Sequence, residues 1–269
     1  MDVKDLDELA KDPRFIPGIY NYCDRWCERC PFTSRCLTYA CSEDEEDDPA
    51  SRDIHNAAFW EKLHSIFEQT RQMLLESIQE HGIELDEEDL EAAAEEERRR
   101  SEQADSHDLA RSARQYAARV NGWFEANRAL FEAKEAQLNT ELRMGLDGAD
   151  PQAEAAALTD AVDVIRWYQY LISAKVVRAL HRDEWEDQDD GQEFPSDSDG
   201  SAKVALISLD RSIAAWGVLR DCLSEEADSI LDLLVHLDRL RRRTEKEFPQ
   251  ARAFVRPGFD EQPPPPKSG

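Results

Sequence analysis

No stretch of this chain approaches 18 consecutive apolar residues, so the sequence offers no segment able to span a bilayer. Its opening residues, Met1 to Asp12, are acidic and lack the apolar centre of an export signal. Glycine is scarce, 10 in 269 residues, and half of the 12 prolines lie before Asn21 or after Phe259. The long middle of the chain therefore has few turn-formers, which favours helix over sheet. Positive charge is also in short supply: 33 Lys and Arg face 59 Asp and Glu, a net charge of −26. A phosphate backbone is gripped by clustered Lys and Arg, so this balance argues against nucleic acid as a partner, and against an anionic membrane surface. The runs Arg98 to Arg100 and Arg241 to Arg243 sit near acidic residues and read as helix faces.

Familiar catalytic patterns are missing as well. There is no P-loop, no G-x-G-x-x-G, no H-E-x-x-H and no G-x-S-x-G. Whether the chain catalyses a reaction is left open. The charge supports another protein, basic or metal-bearing, as partner, and association with a second copy is compatible with it.

What is present is cysteine, concentrated in one place. Tyr22 to Cys41 packs five of the six cysteines into 20 residues. Cys23, Cys27, Cys30 and Cys36 read C-x3-C-x2-C-x5-C, and Cys41 follows five residues later as an alternative ligand. Thiols at such spacings can converge on one ion or cluster without help from distant chain. Without an export signal the expected compartment is reducing and cytoplasmic, where clustered cysteines are more often metal ligands than disulfides. Four thiolates suit tetrahedral zinc, which leads, and also an iron–sulfur cluster. Cys23, Cys27 and Cys30 resemble the C-x3-C-x2-C triad with which radical S-adenosylmethionine enzymes hold their cluster. Those enzymes are built on a βα barrel, and no alternation of strands and helices is legible here, so the resemblance speaks for cluster compatibility alone. Trp26, Pro31 and Phe32 are expected to wall the site from water. Cys222, in an apolar stretch, reads as a buried, inert thiol.

The expected fold is all-α: an antiparallel bundle of about four long helices with the cysteine-rich metal-binding knot at its N-terminal end. Residues 1–50 are the cysteine segment and an acidic linker, in which Glu43 to Asp48 are six consecutive carboxylates. Residues 51–247 form the bundle and 248–269 an extended tail containing four successive prolines. The first helix is expected from an N-cap at Ser51 to about His81, burying Trp60, Leu63, Phe67, Leu74 and Ile78. A charged segment, Asp86 to Arg100, reads as an exposed element. A second helix spans Ser106 to Met144, stopped by Gly145 and Gly148, and Asp150-Pro151 restarts the chain. Two inner helices, about 153–184 and 201–222, are apolar around most of their circumference and read as buried on all sides. The acidic loop between them has no EF-hand register, since Asp187, Asp189 and Gly191 are too closely spaced. The last helix continues or kinks near Ser224. Gly122-Trp123 and Trp216-Gly217 are similar pairs, too short to establish a repeat.

Two further constellations stand out. Glu61 and His64 lie one helical turn apart, half of the ligand set that ferritin-like di-metal bundles take from paired Glu-x-x-His motifs. His181 with Glu184 has the reverse order. On the inner helices, Asp163, Arg166, Lys175, Asp210 and Arg211 interrupt apolar sequence. They are expected either to pair with one another or to line a polar pocket for an anionic small molecule.

Overall fold

The computed structural model describes residues 9, 11–43, 55–82, 86–145, 150–181 and 196–260. Ser51, Gly148, Glu184, the acidic loop's Asp187, Asp189 and Gly191, all but the first of the carboxylates in the Glu43 run, and the proline run lie outside the described residues. Within them the chain is all-α, with no strand. The helices are α1 (Leu37–Glu43), α2 (Ala57–Glu80), α3 (Glu87–Ser106), α4 (Asp108–Ala126), α5 (Arg128–Met144), α6 (Pro151–Leu180), α7 (Asp197–Cys222) and α8 (Ala227–Glu247). None is long and apolar enough to cross a membrane.

The chain divides into two compact units, one of residues 1–97 with 256–269 and one of residues 98–255. In the second, α6 packs on α4, α5 and α7, and α8 packs on α4 and α7. The α6–α7 pairing is the most extensive. Ile165, Tyr168, Ile172 and Val176 of α6 are buried, as are Val204, Leu206, Leu209 and Leu219 of α7. A stripe of small residues on α7, Ser201, Ala205, Ser208 and Ser212, is also fully buried. Spaced three or four apart, these side chains share one face, and their small size lets a neighbouring element come close. Ser208 donates to the Val204 carbonyl at 2.9 Å, which satisfies its hydroxyl inside its own helix.

Several boundaries differ from expectation for identifiable reasons. The expected second helix is two helices, α4 and α5, because Asn127 interrupts it. Its side-chain amide donates to the Trp123 carbonyl at 2.9 Å, and its backbone N–H takes the same acceptor at 3.0 Å. Such local bonding by asparagine competes with helix continuation. Asp150 caps α6 as expected, accepting from Ala153 N–H at 2.9 Å with Pro151 next to it. Ser196 caps α7, which begins four residues before the expected start. After a 3₁₀ turn at Ser224–Glu226 the chain re-enters helix as α8.

The segment after α8 is not a simple extended tail. Phe248, Ala251 and Phe254 are buried, and Lys203 of α7 donates to the carbonyls of Arg252 and Phe254, both at 2.9 Å. Arg252 pairs with Asp210 at 2.6 Å and with Glu245 at 2.8 Å. Periodicity carries no signal here, because the anchoring comes from three isolated apolar side chains in turns. The Trp123 and Trp216 rings meet edge to face at 4.9 Å. The two glycine–tryptophan pairs thus reflect a shared aromatic contact, and a Cβ at Gly122 or Gly217 would meet nothing within 4 Å.

The first expected bundle helix does not bury the face assigned to it. In α2, Trp60, Phe67 and Leu74 are 58%, 64% and 60% exposed, and no residue of that helix is buried. The amphipathic period is real, and Leu63 and Ile78 on the same stripe are half-buried.

Candidate metal centre

The cysteine segment is built from tight turns. Cys27–Arg29 and Thr33–Arg35 are single 3₁₀ turns, and each is closed by a cysteine: the Cys30 N–H donates to the Cys27 carbonyl and the Cys36 N–H to the Thr33 carbonyl, both at 3.1 Å. The spacings C-x2-C and C-x5-C thus end on equivalent positions of successive turns, which places both thiols at the turn exits. Upstream, Asp24 accepts from the Trp26 N–H at 3.2 Å, and Arg25 is held at φ 59° between them. A non-glycine residue in that region costs about 1–2 kcal/mol. The Arg29 guanidinium lies 3.9 Å from the centre of the Trp26 ring.

These turns bring four thiols around one space. Cys23, Cys27, Cys30 and Cys36 line a cavity of about 20 Å³, together with Trp26, Phe32, Tyr39 and Phe259. Among the described residues, no three His, Cys, Asp or Glu side chains converge tightly enough to hold an ion as they stand. The thiols surround the space without closing on it. Burial pushes the Cys27 thiol above its ordinary range, and the neighbouring sulfurs of Cys23, Cys30 and Cys36 push it further in the same direction. The Phe32 N–H points at the Cys30 sulfur at 3.4 Å, and the Cys23 thiol approaches the Tyr20 carbonyl at 3.5 Å. An N–H directed at sulfur favours thiolate over thiol, the form a metal needs.

The aromatic wall has a different membership from the one expected. Trp26 and Phe32 take part, whereas Pro31 is exposed. The missing partners are Tyr39, from α1, and Phe259, from the far end of the chain. Phe259 meets Phe32 edge to face at 5.0 Å. It is held by Arg256, whose guanidinium covers its ring at 4.8 Å and pairs with Asp260 at 2.9 Å. Gly258, at φ +74°, lies so close to Ile16 that an added Cβ would stand 2.9 Å from Ile16 Cδ1 and 3.0 Å from Ile19 Cδ1. No local pattern links Phe259 to cysteines more than 220 residues away.

The other candidates are scattered. Cys41 lies in α1, outside the lining of the cavity. Cys222 is half-buried, not fully enclosed, and burial followed by the nearby Glu154 carboxylate pushes its thiol up. Glu61 and His64 are both exposed on α2, without a further ligand gathered beside them among the described residues.

Of Asp163, Arg166, Lys175, Asp210 and Arg211, three have partners outside the set. Arg166 donates to Asn121 at 2.8 Å and lies over the Phe124 ring at 4.1 Å. Arg211 donates to the Tyr168 hydroxyl, Asp210 is held by Arg252, and Asp163 lies beside an apolar recess between α5 and α6. Of the five only Lys175 is buried. Helix α6 therefore does have a wet face, carrying Asp163, Arg166 and Tyr170; its exposed aromatics, Trp167 and Tyr170, make it look apolar all round.

In comparisons with known proteins, the chain matches no family model, no curated protein and no solved structure.

Proposed function

We propose that this protein binds one metal ion, zinc, through Cys23, Cys27, Cys30 and Cys36. The ion has a structural role, and the acidic helical bundle acts as an interaction or regulatory module for another protein in a reducing, cytoplasmic compartment. The observation that carries the reading is the single small cavity lined by all four thiols and closed by aromatic rings. Rotation of the four side chains about their Cα–Cβ bonds, with loss of their protons, completes a tetrahedral S₄ set. The size favours zinc over the alternative, an iron–sulfur cluster. About 20 Å³ is room for little more than one water-sized body, whereas a cluster brings several iron and sulfide atoms. A segment with so little buried apolar side chain, Ile19 alone among the described residues of 9–43, needs another source of stability, and a metal cross-link supplies it.

Serine replacements test the ligand set. Cys27→Ser and Cys30→Ser are expected to reduce zinc in the purified protein to background, whereas Cys41→Ser and Cys222→Ser leave it unchanged. Unchanged metal content in both of the first pair would overturn the assignment.

A further inference from the structure

A second cavity, in the larger unit, has chemistry the acidic composition conceals. A groove of about 740 Å³ runs between α4 and α8, and its lining includes Arg119, Arg239, Arg242, Arg243 and His236 against a single carboxylate, Asp232. Many arginines of this chain pair with carboxylates, among them Arg71, Arg178, Arg252 and Arg256. On α8, Arg241 and the groove-lining Arg242 share Asp238 at 2.6 and 2.9 Å. Arg239 and Arg243 differ: one turn apart on the same helix, neither makes an ion pair with the described residues, and both are exposed.

Arg119 lines the same groove from α4 and likewise makes no ion pair with the described residues. Its guanidinium donates to His236 Nδ1 at 3.1 Å, while His236 Nε2 lies 3.0 Å from the Ser112 carbonyl. Arginine can only donate, so Nδ1 is the acceptor and the proton sits on Nε2. The imidazole is thus neutral and serves to aim Arg119. Three guanidiniums that face one space with Asp232 as the one carboxylate in its lining, and no ion pair to it, repel each other, and an anion placed among them removes that repulsion.

We propose that this groove binds a small, multiply phosphorylated molecule through Arg119, Arg239 and Arg243. Planar guanidinium forks match phosphate oxygens two at a time, which suits them to this ligand class. The volume is that of a site for a small molecule. Its length is limited by charge, because Asp232 and Glu247 fall on the same helical stripe as Arg239 and Arg243, one at each end. An extended nucleic acid strand would run past the arginines into carboxylates, whereas a compact polyanion would not. The proposal is independent of the metal centre.

Calorimetric titration of the full chain with inorganic pyrophosphate tests it. Saturable binding near one per chain is expected, weakening as salt is raised. The double variant Arg239→Gln/Arg243→Gln should raise the dissociation constant at least about tenfold. Because both side chains are exposed, its far-UV circular dichroism should match the parent. Arg178→Gln, which removes an arginine of α6 that pairs with Asp197 and does not line the groove, should bind as the parent does. Absence of saturable binding, or equal binding by the double variant, overturns the proposal. Tighter binding of a single-stranded oligonucleotide than of pyrophosphate, lost in the same double variant, would also overturn it in favour of an extended polyanion.

Discussion

At the scale of single residues, the chain combines groups whose chemistry depends on enclosure. Gly258 occupies a left-handed conformation against Ile16 and Ile19, so Gly258→Ala should destabilise the cysteine unit by about 1–2 kcal/mol from backbone strain alone. The variant should therefore lose zinc to a competing chelator faster than the parent; equal loss would mean that the Phe259 segment does not support the centre. In the larger unit, the buried Trp216 N–H donates to the Tyr116 hydroxyl at 2.9 Å, and burial holds the Tyr116 phenol well above its usual range. Tyr116→Phe strands that N–H and should cost about 1–3 kcal/mol in urea unfolding.

His236 adds a pH dependence. Burial lowers its affinity for a proton, with the charges of Arg119, Arg239 and Arg243 acting in the same direction against the opposing bond to Ser112. Asp232 is the one carboxylate in the groove lining. The unfolded chain then binds a proton more readily than the folded one. The stability contributed by neutral His236 is full above about pH 6.5 and declines as pH falls through that value toward the lower folded one. The difference in stability between parent and His236→Asn should accordingly shrink on acidification; a difference constant from pH 7.5 to 5 would contradict the neutral assignment.

At the scale of elements, burial separates helices that the sequence makes look alike. Phe67 on α2 and Ile172 on α6 both sit in regular apolar stripes, yet Phe67 is 64% exposed and Ile172 fully buried. Phe67→Ala should change unfolding stability by no more than about 0.5 kcal/mol, whereas Ile172→Ala should cost about 2–5 kcal/mol. Comparable losses would mean that α2 is covered in solution. The contrast shows what was legible in the chain. The existence of long helices followed from period and scarce glycine, and the α6 start from Asp150-Pro151. Which stripe finds a partner is a tertiary matter that period does not encode. The break at Asn127 was hidden because asparagine is tolerated within helices as readily as it ends them. At the site, local spacing announced the four cysteines, and C-x2-C and C-x5-C proved to mark successive 3₁₀ turn exits. Tyr39 and Phe259 had no such signal. The basic groove was masked by averaging: Arg241 to Arg243 look neutralised in a linear reading, but a helix sends Arg243 and Arg239 to one side and Arg241 and Arg242 toward Asp238.

At the scale of the whole molecule, the two units differ in what they bury. Among the described residues, 98–255 carry nearly all of the buried apolar side chains, while the cysteine unit buries little beyond Ile19. Removing a structural metal should therefore unfold the cysteine unit and leave the core around Trp123 and Trp216 intact, which near-UV circular dichroism of those tryptophans would follow. The most direct test of the central claim is elemental analysis of the full chain purified without oxygen, paired with its visible absorption spectrum. About one zinc per chain and no visible colour are expected. A brown protein containing iron would contradict the zinc assignment and move a redox role to first place. A chain that contains no metal, takes up none when titrated with zinc under reducing conditions, and keeps its cysteine unit folded would contradict the metal centre itself.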